Sequence, residues 1–195
     1  FNFDPAGLFL GMYILMSVLT LPLWVRMGEW LEKRDALSLA YMLQGGGFFM
    51  TFLLCGRGVD GRGGLIGFAI FGLMAGIGMA GTLIFPSAMR SDLCTQDEFR
   101  TRERREGKIE GLFGLVRRVF GTMGVVLVLQ VLAASGFVEG HGVVQPLAAR
   151  QAIRLVYGGI AGAMVLLAII PLRWYSLTRA KQQEMVASME ARTAA

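Results

Sequence analysis

The sequence contains few residues of the kinds that build metal centres or catalytic sites. Only two cysteines and one histidine occur among its 195 residues. Cys55 and Cys94 are far apart along the chain and His141 stands alone, so no Cys/His spacing fits a zinc site. No nucleophile stands at a usable spacing from a base either. The sequence therefore predicts no resident metal, no cofactor and no catalytic residue, and it argues against an enzyme.

Charge is scarce as well. Charged residues make up 17% of the chain and hydrophobic residues 54%, and the mean hydropathy is +0.56. A water-soluble domain of this size would need a more polar surface. The net charge of +5 does not indicate nucleic acid, because the basic residues stand between long apolar segments and form no run interleaved with aromatics. These proportions indicate an integral membrane protein without a nucleic-acid partner.

Long apolar segments are what the sequence has in abundance. Five of them reach the length of about 20 residues that a helix needs to cross a bilayer. They predict an all-α polytopic bundle with five transmembrane helices, followed by a cytoplasmic amphipathic tail over 173–195. The approximate spans are 5–25, 36–56, 63–87, 108–136 and 150–172. Three small-xxx-small pairs predict close contacts between these helices: Gly72 and Gly76, Gly107 and Gly111, and Gly158 and Gly162.

Lysine and arginine are unevenly distributed between the two sides of this bundle. Most of them fall in the segments 26–35, 88–107 and 173–195, which share one side. The positive-inside rule makes that side cytoplasmic, with residue 1 outside the plasma (inner) membrane. Residue 1 is Phe1, and the stretch FNFDPAG lacks the features of a signal peptide. We therefore expect the chain to begin inside a longer polypeptide, and earlier helices or a partner chain to complete the bundle.

Two adjacent arginines, Arg117 and Arg118, stand inside the apolar stretch GLFGLVRRVFG. Arg118 lies about ten residues into the fourth span, roughly 15 Å deep and near the midplane. A charge at that depth costs at least about 2.5–3.5 kcal/mol and usually faces a cavity or a partner. Glu110 shares a helix face with Arg117, whereas Arg118 points about 100° away, beside Thr122. We predict that these four residues line a cavity; the alternative is a structural ion pair with another helix.

The stretch FPSAMRSDLCTQDEFRTRERREGKIEGLFGLVRRVFG (85–121) resembles a region of a known family, the glycoside/pentoside/hexuronide:cation symporters. This is the melibiose permease group of the major facilitator superfamily. There the tenth helix ends in a Pro/Met/Asp pattern, a cytoplasmic loop follows, and the eleventh helix carries a basic residue at mid-depth. The matching residues here are Pro86, Met89, Asp92, Glu98, Phe99, Arg104, Glu106, Gly107 and Arg118.

The ends of the chain also resemble this family, at LPLWVRMGEWLEKRDAL (21–37) and PLRWYSLTRAKQQEMV (171–186). The five spans would then be helices eight to twelve of a partial facilitator fold. The resemblance implies symport of a small solute such as a sugar with Na⁺, Li⁺ or H⁺, by rocking of two helical bundles about a midplane site. The cation-binding carboxylates are expected in the earlier half of the transporter.

Residue roles follow from the same resemblance. Arg118 is expected to line the solute cavity. A cytoplasmic gating turn is expected to hold one conformation through ion pairs. Its residues are Asp92, Glu98, Arg104 and Glu106.

Because this sequence departs from the family pattern, the resemblance does not identify the solute. Phe113 and Gly114 stand where sugar-transporting members have polar residues, and Leu83 stands where the melibiose permease has tryptophan. An apolar or anionic solute, even a lysolipid, is therefore an alternative to a sugar. A membrane assembly or scaffold protein that keeps the fold without transport is a second alternative, and Arg118 would then be dispensable.

Overall fold

A computed structural model describes residues 5–54, 62–103, 105–140 and 145–193. Cys55, Arg104 and His141 lie outside the described residues. Within those ranges the chain forms helices and no strand. The helices, in chain order, are α1 (Pro5–Trp30), α2 (Lys33–Leu54), α3 (Arg62–Thr101), α4 (Glu106–Ala134), α5 (Leu147–Arg154), α6 (Ala161–Leu167), α7 (Ile169–Leu172) and α8 (Arg179–Thr193). A π-helical turn (Leu155–Ile160) joins α5 to α6.

Five helical segments are long and apolar enough to cross a membrane. They are Leu10–Trp30, Lys33–Leu53, Ala69–Thr101, Glu106–Ala134 and Leu147–Leu172, the last built from α5, the π-helical turn, α6 and α7. The prediction of an all-helical membrane protein with five spans is therefore confirmed. Helix α1 stops, α2 starts and α8 lies at one end of the bundle, which we term the tail end. We term the other end the opposite end.

Helix α3 continues beyond the point at which the sequence predicted a connection. It has 40 residues, which gives a length of about 60 Å at 1.5 Å per residue, twice the hydrocarbon core. Thr95 lies in the added turns, and its hydroxyl donates to the carbonyl oxygen of Ser91 at 3.1 Å. The helix stops after Thr101, where Arg102 adopts a left-handed conformation with φ of 57°. The predicted connection 88–107 is thus helical through most of its length.

The first three helices pack around one aromatic residue, Trp24, which is 1% exposed. Its indole nitrogen donates to the carbonyl oxygen of Ile77 at 2.7 Å, and its ring meets the edge of Phe85 with centroids 5.9 Å apart. Small residues such as Ala40 and Ala80 complete this core and let the backbones approach. The core lies toward the tail end and holds α1, α2 and α3 together.

Glycines let α2 approach its neighbours on two sides. A Cβ at Gly47 would lie 2.6 Å from the carbonyl oxygen of Phe71 and 2.9 Å from the nitrogen of Ala75. On the side of the fifth span, a Cβ at Gly158 or Gly162 would come within 2.8 Å of α2 atoms. The predicted close contact at Gly158 and Gly162 is therefore confirmed. The one predicted at Gly107 and Gly111 is wrong, because a Cβ at either position would meet nothing within 4 Å.

Replacing Gly47 with alanine is expected to lower the free energy of unfolding by about 1–3 kcal/mol, the usual cost of overpacking. The added methyl group would collide with α3 backbone atoms, which cannot move aside as a side chain can. Thermal unfolding of the purified protein measures the effect. Gly46→Ala is the matched control, because a Cβ there meets only the terminal methyl of Met74 at 3.7 Å. Equal unfolding temperatures for the two variants would contradict the prediction.

Two arginines cap helix ends from far along the chain. At the tail end, the guanidinium of Arg179 donates to the carbonyl oxygens of Glu29 and, at 2.8 Å, Leu31. At the opposite end, Arg154 Nε donates to the carbonyl oxygen of Phe52 at 2.7 Å, and its guanidinium lies 5.0 Å from the Phe52 ring centroid. The last carbonyls of a helix lack intrahelical partners and carry partial negative charge. Each guanidinium therefore satisfies these acceptors and complements their charge.

Helix α4 stands apart from the packed core. None of its residues is buried, and a Cβ added at Gly114 or Gly121 would meet nothing within 4 Å. An ion pair between Arg90 of α3 and Glu110 of α4, 3.2 Å long, connects the two helices at the tail end. Helix α4 is thus exposed along its length, and most of the side chains it exposes are apolar.

Candidate functional site

An open groove of about 650 Å³ lies along α4 around the two arginines. It is lined by Gly114, Arg117, Arg118, Gly121, Thr122 and Val125. The glycines precede and follow the arginines by one helical turn, and they leave space because they carry no side chain. Each guanidinium offers five N–H donors, and Thr122 adds a hydroxyl group. The groove can therefore bind a ligand that accepts several hydrogen bonds.

The structure brings together three of the four residues that the sequence predicted for the cavity. Arg117, Arg118 and Thr122 line one groove, although the two arginines are adjacent in sequence. Glu110 does not join them. It stands in the first turns of α4 beside the end of α3, where its carboxylate binds Arg90.

The two guanidinium groups have no carboxylate at their own depth. Arg118 follows the start of α4 by twelve residues, or about 18 Å at the helical rise, and α4 has 29 residues in all. In the spans as far as the structure describes them, the acidic side chains all stand toward the tail end. Neither Arg117 nor Arg118 forms an ion pair or a hydrogen bond with another described side chain. Their positive charge must therefore face either water or a group from outside the described residues.

A second polar site lies at the tail end; we term it the Asp92 cluster, comprising Lys33, Asp92, Tyr175 and Gln182. Asp92 is 4% exposed. Lys33 Nζ lies 2.6 Å from its Oδ2 and 2.8 Å from its Oδ1, and Gln182 Nε2 donates to Oδ1 as well. A buried carboxylate is tolerated when a cation and further hydrogen bonds satisfy it. The cluster therefore ties the start of α2, the end of α3 and the tail helix α8 to one another.

The hydroxyl of Tyr175 is buried beside this carboxylate. Burial, and after it the negative charge of Asp92, raises the pKa of Tyr175 to about 12. Hydrogen bonding to the Asp92 carboxylate contributes to the same shift, although the hydroxyl does not reach ideal hydrogen-bond geometry with any described residue. Tyr175 is thus a neutral donor next to Asp92.

Only one residue of the predicted gating turn enters the Asp92 cluster. Asp92 and Glu98 both lie on α3 rather than in a turn, because the helix continues to Thr101. Glu106 begins α4 and is exposed, and Arg104 lies outside the described residues. The sequence predicts a cytoplasmic connection around Lys33 and a polar tail around Gln182, and it does not indicate either residue as a partner of Asp92.

The described residues include no group of three or more His, Cys, Asp or Glu side chains that could hold a metal ion. The chain's charged groups instead form ion pairs and caps at the two ends of the bundle, together with the arginine pair in the groove of α4.

Comparison with known proteins relates the chain to transport proteins. The family described as MFS/sugar transport protein matches residues 3–179. An uncharacterized symporter of Synechocystis sp. is 31% identical over 124 residues, an alignment that covers 62% of this chain and 23% of that protein. The chain thus spans about a quarter of the length of this relative. No solved structure matches the chain significantly.

Proposed function

The chain belongs to the MFS/sugar transport protein family, and from this membership we propose that it forms part of a cation-coupled symporter that carries a small solute by alternating access. More closely, we propose a melibiose permease-like transporter in which these five spans are helices eight to twelve. The arginine pair in the groove of α4 is the observation that carries the proposal. The name of the Synechocystis relative, a symporter, supports the same class.

The position of the arginines favours a solute cavity over a structural ion pair. Two charges in the middle of an apolar helix are costly unless they face water or a partner. Arg90 takes the nearest carboxylate on α4, that of Glu110, so it does not serve the pair. Transporters of this design bind their solute near the midplane between two bundles. We therefore assign Arg118 and Arg117 to the wall of that cavity, with Thr122 beside them.

The Asp92 cluster is proposed to close the cytoplasmic side of the cavity. In this proposal the tail end faces the cytoplasm, as the distribution of lysine and arginine predicts. An ion pair between two helices can hold one conformation and break in the other. Asp92 and Lys33 fit this role, because they join α2 and α3 through two short contacts.

The coupling ion, Na⁺, Li⁺ or H⁺, is proposed to bind carboxylates supplied by other helices, from the same polypeptide or from a partner chain. The charge of the groove indicates the chemical class of the solute. Two guanidinium groups without a carboxylate at their depth favour a solute with an anionic group, a lysolipid included, over a neutral sugar.

Uptake into proteoliposomes tests the proposal. The native polypeptide that contains this chain is reconstituted and offered labelled glucuronate, galactose and lysophosphatidylcholine, with and without an inward Na⁺ or H⁺ gradient. A tenfold ion gradient supplies about 1.4 kcal/mol, so a one-to-one symporter should concentrate its solute up to about tenfold. Gradient-independent equilibration would argue against cation coupling. The absence of uptake of all three solutes would favour the scaffold alternative.

A further inference from the structure

The tail helix α8 is attached to the bundle at two polar points near its start. The first is Arg179, whose guanidinium caps the end of α1 and whose backbone nitrogen lies 3.4 Å from Glu32 Oε2. The second is Gln182, almost one turn later on the same face. Both contacts reach residues far away in sequence, so they fix the tail onto the packed helices.

Gln182 contacts both members of the buried ion pair. Its amide nitrogen donates to Asp92 Oδ1, and its amide oxygen lies 3.4 Å from Lys33 Nζ. The side chain of Asp92 is 5% exposed and that of Lys33 is 25% exposed. A carboxylate buried to this extent depends on each hydrogen bond it accepts. The tail therefore supplies part of what stabilises the Asp92 charge.

Beyond Gln182, the inner face of α8 is half-buried along the end of α3. A groove of about 310 Å³ separates its inner face from the end of α3. Gln96 and Phe99 line this groove from α3, and Met185 and Ser188 line it from α8. The open volume between the two helices limits their apolar packing, so the polar contacts of Arg179 and Gln182 contribute to holding α8 in place. Release of α8 consequently requires these hydrogen bonds to break.

We propose that α8 is a latch on the Asp92 cluster and that Gln182 is its positioning residue. When α8 is docked, it holds the carboxylate of Asp92 toward Lys33. When α8 is released, the ion pair loses one of its hydrogen bonds. The statement that this cluster is a gate rests on the proposed function. The docking of α8 through Gln182 does not.

A reporter cysteine tests the docking. Ser188→Cys is introduced into protein whose native Cys55 and Cys94 are replaced by serine, and the rate of maleimide labelling is measured in detergent. Gln182→Ala is expected to raise that rate about tenfold or more, because it removes a hydrogen bond to a charged group. Gln183→Ala is the matched control, since the neighbouring side chain is exposed, and its rate should stay within about twofold of the parent. Equal rates for the two alanine variants would overturn the latch.

An isosteric exchange separates direct contact from a general loss of structure. Asp92→Asn and Gln182→Glu are each expected to speed labelling. The double variant should return to within about threefold of the parent, because the carboxylate, now on α8, remains within reach of Lys33. These two substitutions preserve side-chain shape, so they keep the proposal testable if Gln182→Ala fails to fold. A double variant that labels as fast as the singles would overturn the role of Gln182.

A transport experiment tests the role of the latch in gating. A bifunctional maleimide between Gln96→Cys and Ser188→Cys, which line the same groove, should hold α8 in place and stop uptake, whereas either cysteine alone should not. Uptake that continues after cross-linking would overturn the latch as a gate element. If the parent takes up no solute at all, the proposed function fails, and the labelling arm still decides whether Gln182 holds α8.

Discussion

Replacement of Arg118 with alanine is expected to reduce the initial rate of solute uptake about 10- to 100-fold, the effect of losing one charge-assisted contact with the solute. The amount of folded protein should change little. Arg118 forms no ion pair or hydrogen bond within the described chain, and the neighbouring glycines leave its side chain in open space. Uptake rate and the yield of monodisperse protein together measure the two expectations.

Two other arginines provide the comparison for this result. Arg117→Ala is expected to lower uptake less, since the sequence places that side chain about 100° around the helix from Arg118. Arg100→Ala removes an exposed charge at the end of α3 and should leave uptake unchanged. Near-normal uptake by Arg118→Ala would refute the cavity role and favour the scaffold alternative. A large loss of folded protein would instead indicate a structural ion pair with a helix outside the described chain.

Replacement of Lys33 with methionine is expected to destabilise the protein by about 3 kcal/mol, the low end of the usual cost of leaving a buried charge unpaired. The low end applies because the side chain of Lys33 is 25% exposed and that of Asp92 5%. For a chain of this size, the loss corresponds to a drop of roughly 6–12 °C in the unfolding temperature. Thermal unfolding of the purified protein provides the measurement.

The neighbouring pair supplies the control for Lys33→Met. Arg34 binds Asp35 at 3.1 Å, but both side chains are about half exposed, so Arg34→Met should cost less than about 1 kcal/mol. Removing both buried charges with Lys33→Met and Asp92→Asn should recover more than half of the loss, because no unpaired charge then remains. If Lys33→Met and Arg34→Met destabilise the protein equally, burial does not strengthen the Asp92 cluster.

The membrane spans could be predicted from the sequence because they depend on a property of each segment alone. About 20 apolar residues in succession suffice for a helix to cross a bilayer, and all five such segments were found. The end of α3 was less predictable. Its last turns are as polar as a loop, yet they remain helical through Thr101. Helix α8 lies beside these turns at Gln96 and Phe99, and the local composition does not reveal such a neighbour.

The candidate sites likewise include residues that the sequence identifies and residues that only the structure identifies. Arg118 could be singled out because a guanidinium in an apolar helix is unusual wherever the helix packs. The partners of Asp92 could not, since Lys33 and Gln182 stand 59 and 90 residues away from it in sequence. Glu110 was assigned to the cavity from its helix face alone. Its carboxylate is instead close to Arg90 of the preceding helix, a contact that depends on how α3 and α4 are placed.

The two arginine caps affect the order in which the chain can be completed during synthesis. The terminal carbonyls of α1 and α2 emerge from the ribosome well before the groups that cap them: Arg154 stands 102 residues after Phe52, and Arg179 stands 148 residues after Leu31. Until then those carbonyls must be hydrated or bonded elsewhere. A polypeptide halted before Arg154 can insert its first helices but cannot finish either end, so assembly of this bundle is completed only when its last segments arrive.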